Sequence, residues 1–182
     1  MATFTISDFT AKLKAGGARP NLFKVSIPQL PSGVSGASFT DFTFMCKGAS
    51  LPGSTLGVIS IPYQGRELKV AGDREFGQLV TTVINDEGFA FRNVFEKWVN
   101  ALNTHQGNVS EVEIGDRTKY TADLTVTTMT KAGADDQVVS FIDCWPSIVS
   151  NIDLNWDSTN AIQEYTVTWE YEYYTHAAAN II

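Results

Sequence analysis

A mainly β fold, two antiparallel sheets packed as a sandwich or partly closed barrel, is what three features of this 182-residue sequence predict. Apolar and polar residues alternate with the two-residue period of a strand in several long runs. Glycine- and asparagine-rich breaks separate those runs. Only one long stretch, at about residues 86–102, carries the three- and four-residue apolar spacing of a flanking helix, and a shorter helix is expected near the N-terminus. With 43% hydrophobic and 12% aromatic residues, the chain can bury a core of its own at a common single-domain length, so residues 1–182 read as one domain.

The elements follow in chain order. Ser7 to Ala15 suits a short helix ending at Gly16-Gly17, with Ser7 or Asp8 capping its first amides. In NLFKVSIP, Phe23, Val25 and Ile27 alternate with polar neighbours and predict a half-buried strand. The small, polar residues 32–40 predict a loop before a strand in FTFMCKG. The stretch ISIPYQGRELKVAGDREFG, broken at Gly65, Gly72 and Gly77, predicts a projecting hairpin or extended arm. Gln78 to Ile84 is a short β-branched run bounded by Gly77 and Asn85-Asp86 and reads as a strand.

In NDEGFAFRNVFEKWVNALN, Phe91, Val94, Phe95, Trp98 and Leu102 fall on one helical stripe, with Asn85, Asp86 and Glu87 placed to cap and charge its start. Beyond it, Tyr120, Ala122, Leu124 and Val126 form the apolar face of a long strand, and Thr121, Asp123, Thr125 and Thr127 form its polar face. KAGADDQ turns the chain into VVSFIDCW, where Pro146 interrupts the strand or confines it to an edge. The last strand places Tyr165, Val167, Trp169, Tyr171 and Tyr173 on one face and Thr166, Thr168, Glu170 and Glu172 on the other. Strands this long leave edges that must be blocked or used, and closing a ring of subunits would use them.

Charge is distributed unevenly within a formal net charge of -7. Lys12, Lys14, Arg19, Lys24 and Lys47 face only Asp8 and Asp41 in the first 47 residues, whereas eight acids and no Lys or Arg follow Lys131. A basic front and an acidic back suit head-to-tail contact between copies. The basic residues are too dispersed in this acidic chain for tight phosphate binding, which argues against a stationary DNA-binding role.

Chemical motifs give little. Asp153, Asn155, Asp157 and Glu164 match positions 1, 3, 5 and 12 of a calcium loop, but Ser158 stands where that loop turns on glycine and the flanks read as strands. His105 and His176 lack partners at ligand spacing. No serine-hydrolase, zinc-protease, CxxC or phosphate-loop signature occurs, so neither an enzyme, a metal nor a cofactor is expected. Cys46 and Cys144 lie in apolar alternating segments and read as buried free thiols. The N-terminal segment lacks the apolar core of a signal peptide, and no run approaches the roughly 18 apolar residues of a membrane span, so cytosolic synthesis and no stable membrane insertion are expected.

Five segments in order carry a resemblance: ARPNLFKVSIP, CKGASLPGSTLG, IPYQGRELKVAGDREF, VINDEGFAFRNVFEKWVNALN and CWPSIVSNIDLNWDSTNAIQEYTVTWEYEYY. Together they cover most of the chain, which resembles the tail tube proteins of contractile-tailed bacteriophages. The resemblance implies a two-sheet fold with a flanking helix, forming hexameric rings that stack into a hollow tube. It implies contact with a sheath protein, a baseplate tube initiator and a tape-measure protein in the lumen, in a virion tail assembled in the host cytoplasm. Sheath contraction would drive the tube through the host envelope, and DNA would pass without specific binding.

On that expectation, a polar face lines the lumen: Thr121, Asp123, Thr125 and Thr127, or Thr166, Thr168, Glu170 and Glu172. Tyr63, Gln64, Arg66 and Glu67, with Lys69, Asp73 and Arg74, would form an arm between subunits. Tubes of phage-derived injection or secretion systems are the nearest alternative. A monomeric carbohydrate-binding sandwich using Trp156 or Tyr174 is the alternative of another class.

Overall fold

The structure is a computed structural model and describes residues 5–13, 17–34, 39 and 41–178. Nine strands and three α-helices occur among them in the order α1 (Ile6–Lys12), β1 (Phe23–Ser26), α2 (Phe42–Met45), β2 (Cys46–Ser50), β3 (Ser54–Tyr63), β4 (Arg66–Phe76), β5 (Leu79–Ile84), α3 (Ala90–Leu102), β6 (Ala122–Met129), β7 (Asp135–Val149), β8 (Glu164–Glu170) and β9 (Tyr173–Ala178). All described pairings are antiparallel.

Strand β7 builds the sandwich by belonging to both sheets. Its first part pairs with β6 and β9, and its last part pairs with β8, which continues to β5 and β2. The register runs unbroken from Ile142 opposite Tyr173 to Trp145 opposite Glu170, so β7 and the β8–β9 segment form one bent ribbon. The bend appears in the burial phase. Val139 and Phe141 are buried before it, Cys144 and Pro146 after it, and Asp143 between them has φ 56°. Against β6, β7 carries one extra residue here, since Phe141 stands opposite Leu124 but Cys144 opposite Ala122, and that bulge turns every later side chain to the opposite face.

The partner segment shifts at the same level. Tyr165, Val167 and Trp169 point into the core of one sheet, but in β9 it is Tyr174 that packs against the core while Tyr173 is exposed. The expectation of one continuous terminal strand with Tyr173 on its apolar face is therefore corrected. Pro146 stays in the ladder because β7 has β8 on one side only there, leaving a free edge where no N–H is needed. Among the described residues the sheet path is open at β1 and β2, so this is a sandwich and not a closed barrel.

Helix α3 covers the inner face. Phe91, Val94, Phe95, Trp98 and Ala101 are buried, with Leu102 packed at the margin. The rings of Phe95 and Trp98 meet Trp169 edge-on, at centroid distances of 5.6 and 5.9 Å. The buried indole N–H of Trp98 donates to the Tyr120 carbonyl oxygen at 2.7 Å, which removes the cost of an unpaired donor.

The helix starts at Ala90, four residues later than the pattern suggests, because Phe89 turns the chain at φ 52°. Asp86 still caps, accepting the Ala90 N–H at 2.9 Å, while the Asn85 side-chain amide donates to the Gln163 side-chain oxygen instead.

Two other expectations change. Phe42–Met45 is a helical turn and not part of a strand. Phe42 is fully buried against Phe39, Phe91 and Phe95, so aromatic packing overrides the strand propensity of these residues. Helix α1 is capped by Thr5, whose Oγ1 accepts the Asp8 N–H at 3.3 Å, and ends at Lys12; the expected extension to Ala15 and the stop at Gly16 lie outside the described residues.

Candidate functional site: assembly surfaces

Among the described residues, strands β3 and β4 pair only with each other, and every residue of β3 is exposed. The hairpin turns at Gln64 and Gly65, both at positive φ (45° and 83°), which matches the right-handed twist of the flanking strands. Cross-strand pairs place Ile59 with Val70, Ile61 with Leu68, and Tyr63 with Arg66 on one face. The other face carries Val58 with Ala71, Ser60 with Lys69, and Pro62 with Glu67. A bulge near Asp73 and Arg74 ends this alternation, and a Cβ on Gly72 there would come within 3.1 Å of the Gly57 backbone.

The hairpin is thus an amphipathic ribbon with one uncovered apolar face. An isolated two-stranded hairpin is marginal in water, and this one presents Ile61 at 47% and Leu68 at 60% exposure. Tyr63, Gln64, Arg66, Glu67, Lys69, Asp73 and Arg74 are all exposed on it. Selecting for glycine breaks and charges missed Ile59, Ile61, Leu68 and Val70, which the two-residue alternation within each strand would have found. The base is anchored: Phe76 packs against Tyr171 and Tyr174, and the Tyr171 hydroxyl donates to the Gly77 carbonyl at 2.5 Å.

The proposed lumen residues divide. Thr121 and Thr127 are buried within the subunit and leave the set, because a side chain covered in one copy cannot line a channel between copies. The Thr121 hydroxyl donates to the Arg117 carbonyl at 2.8 Å, and Thr127 falls where the β6–β7 register shifts, which is why strict alternation fails at that end. Asp123 is exposed and accepts the Asp143 N–H at 3.2 Å; Thr125, Thr166, Thr168 and Glu170 are half-buried. Glu172 is exposed but is paired with Arg117 at 2.7 Å, which offsets its charge.

Among the described residues, the chemistry-bearing side chains are not brought together. Glu164 of the calcium-like spacing pairs with Lys47 at 2.5 Å, and the Asn155 side chain accepts the Asp157 N–H at 3.0 Å within its own loop. Among the described residues no group of three or more His, Cys, Asp or Glu is placed to hold a metal ion. Cys46 and Cys144 are free and buried, and burial pushes both thiols up to about 12, so neither is a thiolate near neutral pH. Among the described residues no helix is long and apolar enough to cross a membrane.

An open-edged sandwich with an apolar ribbon that its own subunit leaves bare defines a subunit built for assembly. Residues 18–177 match the phage tail tube protein family, and the chain belongs to it. It is 33% identical over 171 residues to tail tube protein gp19 of Enterobacteria phage T4, spanning 93% of this chain and 98% of that one. It is 25% identical over 173 residues to the tail tube protein of Serratia phage KSP90, across 92% and 94% of the two chains. Among solved structures, a chain of the baseplate of the anti-feeding prophage superposes with a TM-score of 0.65 at 13% identity, covering 90% of this chain and 97% of that one. A chain of the extended sheath–tube complex of an extracellular contractile injection system gives 0.61 at 15% identity, covering 97% and 100%. At those identities the likeness concerns the fold. As a phage tail tube protein, the molecule is a structural component of the virion tail.

Proposed function

We propose that this chain, acting as a single tube domain, is the repeating subunit of the inner tube of a contractile tail. Six copies form a ring, and rings stack into a conduit that sheath contraction drives through the host envelope. The uncovered apolar face of the β3–β4 hairpin carries this reading, because that surface is stable in water only when another copy covers it. The tube does no chemistry of its own; its energy comes from the sheath, so no catalytic or nucleotide site is required. A sheath protein, a baseplate initiator and a tape-measure protein are its expected partners. Tubes of injection systems are built on the same fold and form the second reading, supported by the sheath–tube superposition.

A carbohydrate-binding platform is less well supported, since Tyr174 packs against Phe76 and Phe141 and only Trp156 stands free. Electron micrographs of the purified protein test the proposal. Rings or tubes with a central channel are expected, and a protein that stays monomeric at millimolar concentration would overturn it.

A further inference from the structure

We infer that helix α1 of one copy docks on the 151–163 loop of the next copy, joining subunits head to tail. The inference rests on the assembly reading above and adds which surfaces meet. Helix α1 buries nothing in its own subunit: Ile6, Phe9 and Leu13 lie on one stripe, with Phe9 66% exposed. A helix of seven residues is marginal in water and persists when an apolar face is packed. Among the described residues, none covers that face.

The 151–163 loop has the matching problem. Ile152 tucks against the core, and the loop is held by its own polar contacts, Asn151 to Asp153 at 2.8 Å and the Ser158 N–H to the Asn155 carbonyl at 3.1 Å. Yet Leu154 and Ile162 point outward and Trp156 is wholly exposed. A fixed loop that presents an indole to water is a preformed anchor, since a buried aromatic contributes more contact area than any other side chain.

Charge selects between partners. Exposed Lys12 ends the helix and exposed Arg19 follows it, while the one acid of the helix, Asp8, is engaged by the Thr5 hydroxyl; Asp153 and Asp157 flank the indole, and neither these two acids nor Lys12 and Arg19 enter an ion pair among the described residues. The apolar face of the hairpin carries Arg66 alone, one cation against two acids. The two surfaces are also attached at opposite ends of β7. The chain after α1 enters β1 beside the β6–β7 turn, where Lys24 reaches Asp135 at 2.8 Å, and the loop leaves the far end of β7 at Val149. The points where the two segments join the sheet thus lie at opposite ends of the longest strand, which suits the head-to-tail contact of an open stack.

Cysteine cross-linking tests it in assembled material. With Phe9→Cys and Trp156→Cys in one chain, mild oxidation is expected to yield a covalent ladder of subunits, and neither single variant a ladder. The native thiols are buried and contribute no background. As a second arm, Asp153→Lys with Asp157→Lys should raise the concentration needed for assembly about tenfold, and adding Lys12→Asp with Arg19→Asp should restore it to within about twofold. Tubes that form without a ladder, or assembly unmoved by the charge reversal, overturn this contact and leave the tube reading intact. Failure of the unmodified protein to form rings or tubes would sink that reading instead.

Discussion

Trp98 shows what one residue contributes. Its side chain is fully buried, meets Trp169 edge-on, and donates to the Tyr120 carbonyl, so it ties α3 to the sheet and to the connection before β6. Trp98→Ala removes the ring and leaves that carbonyl unpaired; destabilisation of about 3–5 kcal/mol is expected in denaturant unfolding of the monomer. A loss below 1 kcal/mol, as an order of magnitude for an exposed position, would mean that the stripe does not face the core. Trp156 is the counterexample: its side chain lies in water, and Trp156→Ala should leave monomer stability unchanged while weakening assembly. The sequence sets Trp156 between Asn155 and Asp157, whereas Trp98 lies within a helical repeat long enough to mark a core stripe.

At the scale of the element, the β3–β4 hairpin is separable from the sandwich. Among the described residues it pairs with no other strand, and its base closes at Ser54 opposite Phe76. Replacing Thr55 to Glu75 by two glycines, the length of a tight hairpin loop, should leave a folded monomer that unfolds cooperatively at a melting temperature close to that of the parent. Ring and tube formation should be lost. Loss of folding would show that the ribbon belongs to the core. The point version is sharper: Ile61→Asp with Leu68→Asp should block assembly, and Lys69→Ala with Glu67→Ala on the opposite face should affect it far less. A hairpin was legible from Gln64-Gly65 between two extended runs. Its working face was not, because nothing in the sequence tells a face that covers a neighbour from one that covers its own core.

For the whole molecule, the conduit reading assigns one wall of the subunit to passing DNA. We propose that exposed Asp123 and half-buried Glu170 line the lumen, with Thr125, Thr166 and Thr168 as neutral wall. Electrostatic repulsion is felt over about 10 Å at 0.1 M salt, so carboxylates repeated ring by ring keep phosphates off the surface. Asp123→Lys with Glu170→Lys should permit assembly and contraction but slow DNA ejection, most at low salt where phosphate contacts are strongest. Ejection at the parental rate from particles shown to carry both substitutions would place these residues elsewhere. Glu172 is a poor probe, because reversing it also breaks its pair with Arg117.

Alternation and spacing alone determined the mainly β class, the long helix and most strand positions, because the period of side-chain burial is a local property of the backbone. They also located the two buried thiols and the projecting hairpin. Tertiary structure alone decided the bend of β7 at Asp143, the inversion of burial phase between β8 and β9, and the helical turn at Phe42. It also withdrew Thr121 and Thr127 from the lumen by burying them. Each of these depends on which segments lie across from one another, a non-local pairing that the two-residue period, identical on either face of a strand, does not encode.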